Sequence, residues 1–409
     1  MEREELAAWL RLTLTPGIGN GSARKLLAAF GLPHAIFEQA GSALTQVISS
    51  TQAQAVRSMP AELDGLLGIT WDWLQQDGPG GIRHQVVALG DPGYPHALLS
   101  LDDPPLMLYL LGTGNFREIQ PVGLDQKARA ATNSEAIKHA IDPSQSLAVV
   151  GSRNPTPQGA ANARLFAKAM AQAGLTVVSG LALGIDGAAH EGALEGIQLD
   201  NTSGATVAVV GTGLDRVYPK THRNLAHRIA ANGLLVSEYP LGTPPLTANF
   251  PRRNRLIAGL ANGTLVVEAA LQSGSLITAR LTNEQGKDVF AIPGSIHAAQ
   301  SRGCHALIKQ GAKLVESAQD ILEELNWFTG ISRQDNLIAC NDSDTGSRGI
   351  FATNSALLTA LGFDPVGLDA LQARCGLDAS GLQAQLMALE LDGLVARLPG
   401  GLFQRLARN

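Results

Sequence analysis

The stretch VVGSRNPTPQGAANARLF, Val149 to Phe166, passes from a β-branched pair through a glycine turn into an alanine-rich helix. Strand, turn and helix in that order make the unit of a parallel α/β sheet, and here the unit repeats. LAVVG (147–151), TVVSG (176–180), ATVAVVG (205–211), LLVSE (234–238), GTLVVEA (263–269), DVFAIPG (288–294) and AKLVES (312–317) are seven short apolar runs separated by alanine-rich helical patterns. Apolar strands without alternation belong to a parallel sheet covered on both faces. The pattern predicts an α/β fold with an extended Rossmann-like core over residues 82–325. Gly151 and Gly159 are spaced as neither GxGxxG nor GxxxxGKS, so no nucleotide cofactor is expected on this turn.

Working outward, residues 1–75 alternate helical patterns with Gly/Pro breaks and predict a helical N-terminal domain. Within it LTLTPGIGNGSARKLLAAFG (12–31) has the pattern of a helix-hairpin-helix, a tight Pro16–Gly19 turn before a helix with Ala23, Leu26 and Leu27 at inward spacing. Such a turn either presents amides to a phosphate or merely reverses the chain. HQVVALG (84–90) and PPLMLYLLG (104–112) read as strands leading into the core, and 116–146 as a polar surface insertion. Residues 326–349 read as a linker. The helix, helix, helix, hairpin order of 350–409 predicts a winged helix. Its third helix, SGLQAQLMALELDG, carries no Lys or Arg but has Glu390 and Asp392, which suits protein contact better than DNA reading.

The 409 residues exceed a comfortable single core, in keeping with several units. With 31 Lys+Arg against 36 Asp+Glu there is no global basic field, so any nucleic acid must be held by a local patch. Cys304, Cys340 and Cys375 form no CxxC pair, which argues against a zinc ribbon or disulfide framework. The N-terminus lacks an apolar signal core and no run of 18 apolar residues occurs, so a cytoplasmic protein without a membrane span is expected.

Ligands of open parallel sheets collect beyond the carboxyl ends of the strands, and four loops there are rich in chemistry. In the first, Arg153 stands beside a helix start where amides and a cation together suit a phosphate. In the second, SGLALGIDGAAHEGAL (179–194), Ser179 and Gly180 offer a hydroxyl and a bare backbone. Ser179, Asp186 and His190 imitate a catalytic triad but come from one loop without GxSxG, and Asp186 with His190 reads better as a helix cap and a helix-face histidine. The third, NFPRRNRLIAGLANG (249–263), crowds Arg252, Arg253 and Arg255 beside Phe250, a grouping that suits stacked bases and a clamped backbone; at least one of these arginines is expected to pair with an acid such as Glu238 or Glu268. The fourth, VVEAALQSGSLITARL (266–281), places Ser273-Gly274-Ser275 before a helix, with Glu268 either a general base or an arginine partner. Cys304 and His305 are adjacent and cannot close a metal site.

VVGSRNPTPQG, VVSGLALGIDGAAHEGAL, FPRRNRLIAGL, EAALQSGSLITA, VFAIPG and RGCHALIKQGA occur in the order seen in the DNA-processing protein A (DprA/Smf) family, and the chain resembles it from about Tyr94 to Leu325. The resemblance implies a non-catalytic, sequence-independent single-stranded DNA binder that protects incoming strands in natural transformation and helps load the RecA recombinase. It also implies a homodimer through the Rossmann-like domain. By position it implies a DNA site of Arg153, Ser179, Gly180, Phe250, Arg252, Asn254, Arg255, Ser273, Gly274, Ser275 and Lys287, to which Lys220 is added as a nearby cation. Lys287 stands where the family usually has arginine, which keeps the charge and loses the bidentate fork. Leu183 replaces another arginine common in the family, which leaves Lys220 and Arg216 as nearby cations.

Two other readings compete. Related Rossmann-like folds include nucleotide-processing enzymes of the phosphoribohydrolase type, but a PGGxGTxxE-like loop is missing and Glu268 precedes its Ser-Gly loop. A duplex-binding regulator acting through the winged helix conflicts with its cation-free third helix.

Overall fold

A computed structural model of the chain describes residues 1–76, 78–116, 139–197, 206–325, 357–362 and 365–406. Six helices open it: α1 (Arg3–Leu14), α2 (Asn20–Phe30), α3 (Pro33–Phe37), α4 (Gly41–Leu44), α5 (Ser50–Arg57) and α6 (Leu63–Leu74). They bury Leu6, Trp9, Leu10, Ala23 and Leu26. The turn between α1 and α2 is held from outside: Gln52 Nε2 donates to Gly17 O at 2.8 Å and Ser22 Oγ at 3.0 Å.

In chain order the strands that follow are β1 (Arg83–Ala88), β2 (Met107–Gly112), β3 (Gly114–Phe116), β4 (His139–Ile141) and β5 (Ser146–Val150). Next come β6 (Thr176–Ser179), β7 (Thr206–Val209), β8 (Leu234–Ser237), β9 (Gly263–Val266), β10 (Asp288–Ala291) and β11 (Lys313–Leu314). The helices among them are α7 (Pro157–Gln172), α8 (Ile185–Glu195), α9 (Arg223–Asn232), α10 (Asn249–Gly259), α11 (Ser275–Glu284), α12 (Arg302–Lys309) and α13 (Ala318–Glu324). All seven apolar runs named above become strands.

Nine strands make one sheet in the order β1-β2-β8-β7-β6-β5-β9-β10-β11. It is parallel from β8 to β11, and β1 and β2 add antiparallel at one edge. The two leading runs thus extend the main sheet and do more than lead into it. Strand β5 shows why both faces must be covered. Leu147 and Val149 pack with Phe166, Met170 and Ala189 of α7 and α8, while Ala148 and Val150 face Leu256, Ile257 and Ala279 of α10 and α11. The order places β6 on one side of β5 and β9 on the other, so the chain reverses its winding there. The loops leaving β5 and β9 diverge at that reversal, where a crevice opens.

Of the segment 116–146, read as a polar surface insertion, the C-terminal end joins the fold. There β4 pairs in parallel with β3 and buries Ile141. Residues 117–138 lie outside the described residues, as does the linker expected at 326–349. At the C-terminus, a helical turn at 357–361 is followed by β12 (Val366–Gly367), α14 (Leu368–Cys375), α15 (Ala379–Leu391), β13 (Val395–Leu398) and β14 (Leu402–Arg405). The three strands pair as β12-β14-β13, and Leu371, Leu382, Leu386 and Phe403 form the winged helix's own core.

Candidate functional site

A cleft of about 420 Å³ occupies the reversal point, lined by the loops after β5 and β9 and one side of α10. The loop Gly151–Thr156 forms its first wall. Gly151 is packed so closely on Ile185 and the Glu268 carbonyl that a Cβ would overlap them. Gly184, at φ +80°, lets the 181–184 loop pass beneath Ser152 and Arg153. The Ile185 amide then donates to Ser152 O at 3.1 Å. Arg153 is thereby pushed outward and exposed, its guanidinium 5.9 Å from the centroid of the Phe250 ring. No hydrogen bond holds that guanidinium among the described residues.

Phe250, in the first turn of α10, lies over Gly211, whose missing side chain makes room for the ring. Tyr218 leans against it with ring centroids 5.5 Å apart and is itself 48% exposed. Lys220 follows two residues on, exposed and without a partner among the described residues, while Arg216 is taken by Asp215 at 2.6 Å. Asn254 lies one turn beyond Phe250 on the cleft side and reaches Gly274 O at 3.3 Å. Ser273, Gly274 and Ser275 close the opposite wall, with the two hydroxyls 2.7 Å apart. Leu183 is 47% exposed beside Ala182 of the lining.

Five expected site residues turn away from the cleft. Ser179 is fully buried and donates to Val149 O at 2.7 Å, which ties the end of β6 to β5. Gly180 is bare for an internal reason, because a Cβ would overlap the Arg253 guanidinium and the Asp186 carboxylate. Arg255 is only 12% exposed and pairs with the buried Glu238. Burial pushes the Glu238 carboxyl upward, and Arg255 opposes that shift. Lys287 donates to Ala258 O at 2.9 Å and Gly259 O at 3.1 Å, capping the C-terminus of α10, and burial lowers its pKa to about 8. Arg252 is exposed but likewise on the outer side of α10, 3.7 Å from Asp103. The helical period explains the split: Phe250 and Asn254 share a face, while Arg252 and Arg255 fall behind it.

Beneath the cleft lies the residue that sequence reasoning left without a role. Arg253 is 3% exposed and donates to Gly180 O at 2.7 Å and to Val209 O, so it joins the ends of β6 and β7. Its charge faces Asp186, which accepts the Gly180 amide at 3.1 Å and the Ala182 amide at 3.3 Å. Burial raises the Asp186 pKa against the pull of Arg253, and lowers that of Arg253 to about 10. Asp186 therefore caps a loop and holds an arginine. Tyr218 was also missed, although its place beside Lys220 in VYPKTHR was a usable signal.

Glu268, read as a base or an arginine partner, meets Thr156 and no arginine among the described residues. It accepts the Thr156 amide at 2.9 Å and the Thr156 hydroxyl at 2.6 Å, and a Cβ on Gly159 would overlap its carboxylate. Gly159 is thus bare to admit this brace at the start of α7, where Thr156 Oγ1 in turn accepts the Gly159 amide. His190 is a core histidine: Nδ1 lies 2.7 Å from Thr206 Oγ1, whose hydroxyl donates to Val177 O. Among the described residues no cluster of His, Cys, Asp or Glu suits a metal, and no helix is long and apolar enough to cross a membrane.

A family model described as DNA recombination-mediator protein A matches residues 138–326, and one for the DprA winged helix domain matches 352–401. Protein Smf of Escherichia coli is 39% identical over 82% of this chain and 80% of its own length. Protein Smf of Synechocystis is 32% identical over 99% and 100%. The crystal structure of DNA processing protein A from Streptococcus pneumoniae superposes with a TM-score of 0.59 at 33% identity, covering 79% of this chain and 98% of that one. On these likenesses, which run from the N-terminal helices through the sheet to the winged helix, the chain belongs to the DprA/Smf family.

Proposed function

We infer that the chain binds single-stranded DNA without sequence preference in the cleft at the β5/β9 reversal. One observation carries this: an exposed guanidinium with no protein acceptor among the described residues stands over the half-buried ring of Phe250, against which the exposed ring of Tyr218 leans. Unpaired bases stack on such rings, while a phosphate suits a donor-rich arginine. Phe250 and Tyr218 are the stacking platform, Arg153 and Lys220 the backbone contacts, and Asn254 with Ser273–Ser275 the polar wall. Every base has a π-face for such rings, so binding led by stacking and backbone contacts is blind to sequence.

Membership of the DprA/Smf family supports the wider role: protection of incoming strands in natural transformation and loading of a RecA-type recombinase, by a non-enzymatic cytoplasmic homodimer. The winged helix serves protein contact in this reading, since the exposed side of α15 offers Gln383, Ala384, Met387 and Leu391 and no cation. Nothing favours the phosphoribohydrolase reading, because Glu268 is spent on Thr156.

The test is titration of labelled oligo-dT with the wild type, Arg153→Ala and Phe250→Ala. Removing the ring should cost about 1–3 kcal/mol of binding. Removing Arg153 should weaken binding and reduce the slope of log K against log salt by about 0.7. Unchanged binding in both variants would remove the cleft from the reading.

A further inference from the structure

The turn between α1 and α2 meets the outer side of α10, and one carboxylate joins them. Asp103, in the segment between β1 and β2, accepts from Asn20 Nδ2 at 3.1 Å. It lies 3.6 Å from Arg24, 3.7 Å from Arg252 and 4.0 Å from Arg255. Arg24 also donates to Asp102 O at 2.7 Å. Three guanidiniums therefore face two carboxylates, Asp103 and Glu238, and Arg255 already belongs to Glu238. Arg24 Nη1 and the Nε and Nη1 of Arg255 have no hydrogen-bond partner among the described residues, against one such acceptor in the cluster, Glu238 Oε1.

The spacing matters as much as the charge. Arg24 and Arg252 both stand beyond hydrogen-bond reach of Asp103, at ion-pair distance only, so the carboxylate is shared and saturates neither. Arg252 is 53% exposed and Asp103 40%. A Cβ on Gly19 or Gly21 would meet nothing within 4 Å, which leaves the first turn of α2 open to approach from outside. The patch is partly exposed, and its guanidiniums share Asp103 at ion-pair distance, with the exposed Asp102 beside it.

We propose that Asn20, Arg24 and Arg252 form a second site for a backbone phosphate of a bound strand, and that Asp103 occupies it in the free protein as a built-in competitor. The proposal rests on the single-strand reading of the cleft. A phosphodiester presents two oxygens and one negative charge, as a carboxylate does, so the exchange conserves charge. Helix α10 carries both sites, with Phe250 and Asn254 on the cleft side and Arg252 behind. A strand leaving the rings passes round α10 to reach the N-terminal turn. The N-terminal helices thereby lengthen the track, and Asp103 keeps this extension closed to anything that does not first fill the cleft.

The experiment uses the full chain, labelled oligo-dT of about 5 and about 20 nucleotides, and a salt series. Arg24→Ala should weaken the long oligonucleotide roughly threefold to tenfold and flatten its salt slope by about 0.7, with the short one unchanged. Asp103→Asn keeps the shape, removes the competing charge, and should tighten the long oligonucleotide by a similar factor. The double variant Arg24→Ala/Asp103→Asn should lose that gain. Equal loss at both lengths, or none, in Arg24→Ala overturns the site. Binding by Asp103→Asn no tighter than wild type overturns the competitor and makes Asp103 a tether for the N-terminal helices; a lowered unfolding midpoint would accompany that outcome. Arg153→Ala separates this from the underlying reading, since it weakens both lengths when the cleft is the binding site and neither when it is not.

Discussion

Arg153 and Arg253 stand at the lip and the floor of the same cleft and have opposite fates. Arg153 is exposed on a loop held up by Gly184 and has no protein acceptor among the described residues. Arg253 is buried, bonded to carbonyls at the ends of two strands and charge-balanced by Asp186. The difference teaches how a protein with a net charge of −5 can hold an anionic polymer. One arginine spends its donors on fixing the strand ends, and that rigid floor lets the other keep its donors free. Buried charge serves architecture, and exposed charge serves binding.

The largest effect should come from breaking the floor. Arg253→Met leaves Asp186 buried without its counter-charge and two carbonyls without donors, at a cost of about 3–5 kcal/mol in a denaturant titration. Binding should fall with the fold, whereas Arg153→Ala should lower binding while moving stability by less than about 0.5 kcal/mol. Equal stability losses in the two would erase the distinction between lip and floor.

His190, under the same loop, sharpens it through pH. Burial pushes its pKa down to about 3, against about 6.5 for the unfolded chain. The unfolded chain takes up a proton below about 6.5 that the folded chain refuses. Stability is thus intact above that pH and falls as pH drops toward about 3, by as much as about 1.4 kcal/mol per unit. His190→Gln should flatten the unfolding midpoint between about pH 6.5 and 5, above the range where ordinary carboxylates titrate. A slope unchanged from wild type would place the proton elsewhere.

The smallest effect concerns the lip alone. Leu183 is half-exposed beside the cleft, so Leu183→Arg should add one phosphate contact without touching the floor. A gain of a few-fold in affinity, with the salt slope steeper by about 0.7, is expected. No change in slope would show that position 183 lies off the strand's path.

Much of this was legible beforehand. The seven core strands, the helical N-terminus and the winged helix follow from apolar runs, turn residues and their spacing, because burial on two faces demands continuous apolar strands. Arg153, Phe250, Asn254 and the Ser273–Ser275 turn, singled out in the sequence, line one crevice in the structure. The errors share one cause. Ser179 and Gly180 look like the Ser273-Gly274 pair in a string of letters, yet one pair ends a central strand under the Arg253 guanidinium and the other stands on a loop beyond the sheet. Arg252 and Arg255 neighbour Phe250 in sequence but fall behind it on the helix. Lys287 is far from the end of α10 in sequence and touches it in space.

Sequence by itself determined the family, the alternation of strand and helix and the crevice where ligands gather, because these depend on local pattern and on order along the chain. Tertiary structure alone decided which arginines are free. Whether a guanidinium binds a ligand depends on how many acceptors the rest of the fold brings within about 3 Å, and those acceptors come from remote loops. Arg253 meets Gly180 and Val209, Arg255 meets Glu238, Arg24 and Arg252 share Asp103, and among the described residues Arg153 has only the face of Phe250.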